Sequence, residues 1–281
     1  PAGMSGAEPT PTPTPTPTDS PTPTPTATAQ PQTVTIAQIQ GDGAASPLSG
    51  ETVTTTGVVT AHYPTGGFDG YVIQTAGTGG ALDLAEHTAS DAVFVYAPGA
   101  THEVALGDTV EVTGAVSEWN GLTEVTVEAG AARVVEDAPA PVPATVTWPA
   151  TDAERESLES MLIAPQGAFT VSNTYSTNQY GEVGLAAGTE PLRQPTDVAR
   201  PGSAAAAEVA ADNAARAIAL DDGTSVNFLS SANAGRTPAY VSLVEPVVVG
   251  ASVTFTQPHI VDFRNNTWKL NPTEPLEADG S

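Results

Sequence analysis

VALGDTVEVTGAVSEWNGLTEVTV, residues 104–127, decides the fold class. Thr109–Val116 and Leu122–Val127 are strand-length runs rich in β-branched residues. Asn120-Gly121 lies between them, and that pair tolerates the left-handed backbone of a two-residue hairpin turn. Upstream, Glu51–Val59 (ETVTTTGVV), Gly70–Thr75 and Ala92–Tyr96 carry the same β pattern. Turn signals punctuate them at Gly66-Gly67, Gly79-Gly80, Pro98-Gly99 and Gly107-Asp108. Thr33–Ile39 alternates, Val34 and Ile36 against Thr33, Thr35 and Gln38, and predicts a first strand. Five or more short antiparallel strands at this spacing suggest a small barrel or sandwich.

Downstream the pattern returns. GVVTAHY from Gly57 is echoed by GAFTVSNTY from Gly167, 110 residues later. The partner strands begin at Gly70 and Gly181, 111 apart, and VALGDTVEV from Val104 resembles VVVGASVTF from Val247, 143 apart. Further strands are expected at Tyr240–Leu243, Ser252–Thr256, Ile260–Phe263 and Thr267–Leu270. The widening offset marks an insertion, and Ser203–Ile218, Ala-rich and entered after Pro201-Gly202, is the helix it carries. Thr151–Ile163 is the other helix candidate. Thr151 and Glu154 fit a capping box, with Leu158, Met161 and Leu162 on one apolar face.

Residues 8–26 are almost pure Pro-Thr alternation. Proline fixes φ and has no N–H to donate, so this stretch reads as an extended tether rather than part of a sheet. The expected organisation is a disordered Pro-Thr-rich linker (1–32), a β-module (33–137), a Pro-rich linker (138–146), a second β-module with the helical insertion (147–276) and a tail (277–281).

The chain has 281 residues, 40% of them hydrophobic, with 26 Gly, 26 Pro and no Cys. Disulfides, thiolate metal sites and Cys catalysis are thereby excluded. No apolar run is long enough to span a membrane as a helix. A Pro-Thr tether, the absence of Cys and a strongly acidic surface point to export from a bacterium. Beginning on Pro1, the chain reads as a processed product or an excised piece.

There are 32 acidic residues against eight Lys or Arg, a net charge of −24. Residues 33–138 hold 14 Asp or Glu and one basic residue, Arg133, whereas 145–281 hold 16 acidic and seven basic residues. The first module, whose candidates are Trp119 and Asn120, therefore repels phosphate along most of its surface, and the second is the better candidate for nucleic-acid contact. There Arg264, Asn265, Asn266, Trp268 and Lys269 share one proposed hairpin. Cations beside a flat ring suit stacking of a single-stranded base. The competing and preferred reading buries Phe263 and Trp268 and leaves Arg264 and Lys269 as ordinary surface charge. In the first module Trp119 and Asn120 sit at a hairpin tip, as a binding platform or as packing across the barrel mouth. Tyr63, Phe68 and Tyr71 flank the Gly66-Gly67 turn, as an aromatic platform for a base, sugar or protein or as core.

Catalytic patterns are scarce. His62, His87, His102 and His259 are scattered, and neither a phosphate-binding loop nor a nucleophile elbow occurs. Asp221-Asp222-Gly223 is the tightest carboxylate pair, and a turn at a strand end explains it better than a Ca²⁺ loop does.

Several stretches resemble one family: TVTIAQIQGDGAASPLSGETVTTTGVVTAHYPTGGFDGYVIQT (33–75), SDAVFVYAPG (90–99), residues 104–127, LRQPTDVARPG (192–202), NAARAIALDDGTS (213–225) and DFRNNTWKLNPT (262–273). They look like the N-terminal region of large secreted bacterial endonucleases of the ExeM/NucH type. The resemblance implies OB-like barrels ahead of a metal-dependent endonuclease/exonuclease/phosphatase domain. In that family the nuclease domain follows the stretch matching DFRNNTWKLNPT, whereas this chain stops at Ser281. Its catalytic residues have no counterparts here. No cofactor is expected in this chain, and a divalent cation, Mg²⁺ or Ca²⁺, would belong to the full-length enzyme.

The expectation is thus an all-β chain of two OB-like barrel modules with short helical insertions. Its expected function is the non-catalytic portion of a secreted endonuclease. It would act as a scaffold for a downstream nuclease domain or as a weak presenter of single-stranded or duplex DNA. The alternative is an extracellular adhesin-like or carbohydrate-binding β-module using Tyr63, Phe68 and Trp119.

Overall fold

The computed structural model describes residues 30–276 except Leu243. The Pro-Thr tether, apart from its last few residues, and the 277–281 tail lie outside the described residues. The first half runs β1 (Gln32–Thr33), α1 (Ile36–Gln40), β2 (Thr52–Tyr63), β3 (Gly70–Gln74), β4 (Gly79–Ala81), β5 (Ala92–Tyr96), β6 (Thr109–Trp119), β7 (Leu122–Thr126) and β8 (Ala132–Val134). Five of these strands close a barrel in the order β2-β3-β5-β7-β6 and back to β2, with β5–β7 parallel and the other pairs antiparallel. This is an OB-like Greek-key ring. The long β2 makes the closure possible. Residues 52–58 pair with β6, and from Val58 onward the strand pairs with β3, with an irregularity between Val59 and Ala61.

The second half runs β9 (Val142–Thr147), α2 (Asp152–Glu156), β10 (Leu162–Gln166), β11 (Phe169–Asn173), α3 (Thr177–Tyr180), β12 (Val183–Ala187), α4 (Pro195–Val198), α5 (Ala204–Arg216), β13 (Ala217–Leu220), β14 (Ser252–Val253), β15 (His259–Arg264) and β16 (Thr267–Asn271). Its sheet is a half-barrel with the same strand order. Two strands of the ring are broken in two, β10 with β11 and β14 with β15. Leu162 lies opposite Ile260 and Ile163 opposite His259. Past the breaks, Phe169 lies opposite Val253 and Thr170 opposite Ser252, so one register continues through the gap. β13–β16 is the parallel pair, as β5–β7 is in the first barrel.

The repeat reaches further back than the barrels. β1 lies parallel to β2, and β9 lies parallel to β10. Each leading strand is followed by a one-turn helix with a complete capping box, Thr35 with Gln38 and Thr151 with Glu154. The insertion in the second copy, α4 and α5, falls between β12 and β13.

The two halves share a core. Side chains alternate across a strand, and β3, β5 and β7 are covered on both faces. Tyr71, Ile73, Val93, Val95 and Val125 point into the first barrel, where Ile36 and Ile39 of α1 join them. Val72, Phe94 and Leu122 point the other way, into a cluster with Leu158, Met161, Ile163, Val261 and Leu270 of the second half. Double coverage explains why AVFVY reads as a near-continuous apolar run. A ladder also crosses between the halves, since β4 pairs with β9, and the chain from Pro31 onward makes one compact unit.

Four local expectations change. Residues 33–39 do not continue as a strand, because the Thr35 hydroxyl accepts the Gln38 N–H and turns the chain into α1. The helix begun at Thr151 stops after Glu156. Ser160 takes φ +62° and donates its N–H to the Val261 carbonyl at 2.7 Å, so the sheet captures Leu162 and Ile163 as a strand. The Pro-rich stretch 138–146 enters β9, its Val142 N–H held by the Thr78 carbonyl at 2.8 Å. Tyr240–Ser242 form no strand, and Leu243 lies outside the described residues.

Candidate functional site

The 264–267 hairpin of the second half meets the first barrel at its β6–β7 tip. Asn265 and Asn266 both adopt left-handed backbone, φ +55° and +58°, so the turn is tight and lifts Arg264 and Thr267 to its flanks. Gly121 lets the two hairpins touch, because a Cβ there would lie 2.5 Å from the Phe263 ring. Between the hairpins, α3 and the 224–225 loop lies a groove of about 610 Å³, lined among others by Phe68, Trp119, Asn120, Tyr180, Glu182, Ser225, Arg264, Asn265 and Lys269. An adjoining groove of about 530 Å³ holds Asn266, Trp268, Arg155 and Asp152, and shares Ser176, Glu182 and Thr267 with the first.

The structure therefore brings together residues that lie far apart in sequence: Phe68, Trp119 and Asn120 of the first barrel and Arg264, Asn265 and Lys269 of the second half. It also assigns them unequal roles. Lys269 is buried, with its Nζ 2.8 Å from Asp221 and in contact with Glu182. Burial pulls its pKa down, but Asp221 and Glu182 together outweigh that and hold it above the usual lysine range. Asp221 is itself pushed up by burial against the pull of Lys269.

Arg264 is a wedge. Its guanidinium lies 4.2 Å from the Phe68 ring centre and 4.7 Å from that of Phe94, so one cation of the second half spans two rings of the first. Its Nε donates to Asp262 at 3.1 Å. Its Nη atoms donate to no protein acceptor among the described residues, and the residue lines the groove.

Trp268 is a core residue, packed on Trp148 and Phe263 with its indole N–H directed to Asp152 at 3.2 Å. Trp268 is buried, as the preferred reading had it, whereas Lys269, which that reading left as surface charge, is buried as well. Of the two readings of Tyr63, Phe68 and Tyr71, the core one holds, since all three are buried, although Phe68 also lines the groove. Tyr63 packs edge-on against Phe68 and donates its hydroxyl to the Pro272 carbonyl at 2.7 Å, while Tyr71 fills the first barrel. Tyr63 and Phe68 were claimed by the shared core and Tyr71 by the interior of the first barrel. Trp119 alone among these aromatics is open, 59% exposed at the hairpin tip, with Asn120 beside it at φ +53°.

Among known proteins, the chain matches no family model and no curated protein. Among the described residues, no group of three or more His, Asp or Glu side chains is placed to hold a metal ion. No described helix is long and apolar enough to cross a membrane.

Sequence reading missed three contributors. Tyr180, 40% exposed, and Glu182 flank Gly181 at the end of α3 and enter the groove from the β11–β12 connection. Arg155 is buried over Trp148, and its Nη2 reaches the Ala214 and Ala215 carbonyls in the last turn of α5, where a cation meets the negative end of the helix. The one available signal was Tyr180-Gly181, an aromatic residue at a helix stop, which by itself says nothing about a groove.

Proposed function

We propose that this chain is the non-catalytic accessory portion of a secreted endonuclease and that it works as a rigid scaffold. The observation that carries the reading is the way the two halves are locked. Val72, Phe94 and Leu122 are shared between them, Arg264 is wedged over Phe68 and Phe94, and β4 pairs with β9. The last described residues strap the seam. Pro272 accepts from Tyr63, Thr273 accepts from the His62 N–H, and Leu276 donates to the Asp222 carbonyl. A catalytic domain carried beyond residue 276 would leave from an anchored strap. The resemblance of residues 33–273 to the region preceding the nuclease domain in ExeM/NucH-type enzymes supports the same arrangement. The divalent cation of such an enzyme would sit in that domain.

Scaffolding is favoured over capture of DNA because the groove cations are already neutralised, Lys269 by Asp221 and Glu182 and Arg264 by Asp262, on a chain of net charge −24. The test joins an ExeM/NucH-type nuclease domain to the C-terminus. The fusion should melt at a higher temperature than the separate domain and bind a labelled oligonucleotide no more tightly. A tenfold gain in affinity that disappears in Trp119→Ala would replace the scaffold reading with direct capture.

A further inference from the structure

We propose that the groove between the Trp119–Asn120 hairpin and the Arg264–Lys269 hairpin is a binding site for a short neutral oligosaccharide. This inference is independent of any nuclease and stands on the groove itself.

The volume of about 610 Å³ lies within the range of small-ligand sites. Two of its lining aromatics are open to solvent, Trp119 at 59% and Tyr180 at 40%, unlike the buried rings around them. An exposed indole or phenol offers an apolar face with a polar edge, which suits a sugar ring whose faces carry C–H groups and whose rim carries hydroxyls. A phosphate chain would find Glu182 in the groove and a molecular charge of −24 around it.

Sugar hydroxyls both donate and accept, and the groove presents both functions. Arg264 offers Nη donors that no acceptor among the described residues uses, Asn120 and Asn265 offer amides, and the Lys269–Glu182 pair offers a carboxylate already balanced by a cation. Arg264 and the Lys269–Glu182 pair are held in place before any ligand arrives. The Phe68 and Phe94 rings and Asp262 fix the Arg264 plane, and left-handed turns fix the backbone that carries the two Asn residues. Prior ordering of this kind spares a ligand the entropy of organising its site.

The protein itself provides the reporter. Trp148 and Trp268 are buried at 9% and 6%, so acrylamide quenching of the intact chain reads Trp119. The probes are tetrasaccharides of glucose, N-acetylglucosamine, mannose and xylose, with oligothymidylate and oligogalacturonate as charged counterparts. At least one neutral probe should shield Trp119 at ~10 mM or below. By calorimetry, Trp119→Ala and Tyr180→Ala should each weaken that probe about tenfold, or ~1.4 kcal/mol. Both side chains are exposed, and a folding failure in one variant leaves the other to decide. Absence of shielding by every neutral probe overturns the proposal. So does shielding by the charged probes alone, or binding that neither substitution changes.

Discussion

Glu159 is a buried acid whose charge is disfavoured by burial and by three neighbouring carboxyls and favoured by the Thr123 N–H alone. Its side chain sits at the seam, accepting the Thr123 N–H at 3.1 Å through one oxygen while the other has no hydrogen-bond partner. Burial pushes its pKa well up, and Glu156, Asp262 and Glu118 add to the shift. Glu156 is pushed up to about 7 by burial, Asp152 and Glu118, and Asp222 to about 7 by burial and Asp221. A carboxyl whose folded pKa is raised binds more protons folded than unfolded. Its favourable contribution is complete below the unfolded value of about 4.3 for Glu and is lost as pH rises through the folded value. His259, pulled down by burial, acts in the opposite sense below its ordinary range, but it is one group against several. The protein should therefore melt at a higher temperature at about pH 5 than at about pH 8. Glu159→Gln keeps an acceptor for Thr123 and removes the charge. It should raise the melting temperature at the higher pH by roughly 2–4 °C for each kcal/mol recovered, and change it little at the lower. Scanning calorimetry at both pH values checks this, and a variant that loses stability equally at both would show that Glu159 works as a charged acceptor.

At the scale of elements, the β4–β9 ladder makes the sharpest demand on sequence. Gly79 sits at φ +95°, and a Cβ there would lie 1.7 Å from the Val142 carbonyl oxygen. Gly80 also has positive φ, but nothing lies within 4 Å of its would-be Cβ. Gly80→Ala should thus cost about 1 kcal/mol of backbone strain, and Gly79→Ala several times more, since it must also push β9 away. Urea denaturation of the pair separates the terms, and equal losses would mean that β9 yields freely. This contrast also shows what sequence carries. Gly79-Gly80 was legible as a turn, but a turn signal is local and cannot reveal a strand that pairs with residues 142–145. Asn120-Gly121, the two capping residues Thr151 and Glu154, and the Ala-rich helix were legible because their causes lie within a few residues. The repeat was legible as well. The break at Gly167 in the echo GAFTVSNTY is where the second copy splits β10 from β11, and the 247–255 echo contains β14. The length of the helix from Thr151 was not, because Ser160 is bent by a hydrogen bond to Val261, a hundred residues away. The groove was half visible. Its residues were named one hairpin at a time, and only the packing of Gly121 on Phe263 puts the hairpins side by side.

At the scale of the molecule, two copies of one β-unit would be expected to melt separately if each kept its own core. The first barrel does have an interior of its own, with Ile36, Tyr71, Ile73, Val95 and Val110. The second does not, because its cluster takes in Val72, Phe94, Leu122, Tyr63 and Phe68 from the first. Removing either half thus exposes a continuous apolar face to water, the condition under which proteins associate or bind hydrophobic dyes. Calorimetry of residues 31–276 should give one transition whose calorimetric and van't Hoff enthalpies agree. Residues 31–137 alone should melt at a lower temperature and bind a hydrophobic dye. Two resolved transitions in the longer chain, with a shorter one that stays monomeric and dye-free, would mean that the seam is a docking contact. A scaffold built on such a contact would let its two halves move, and the groove framed by both hairpins would then open and close with them.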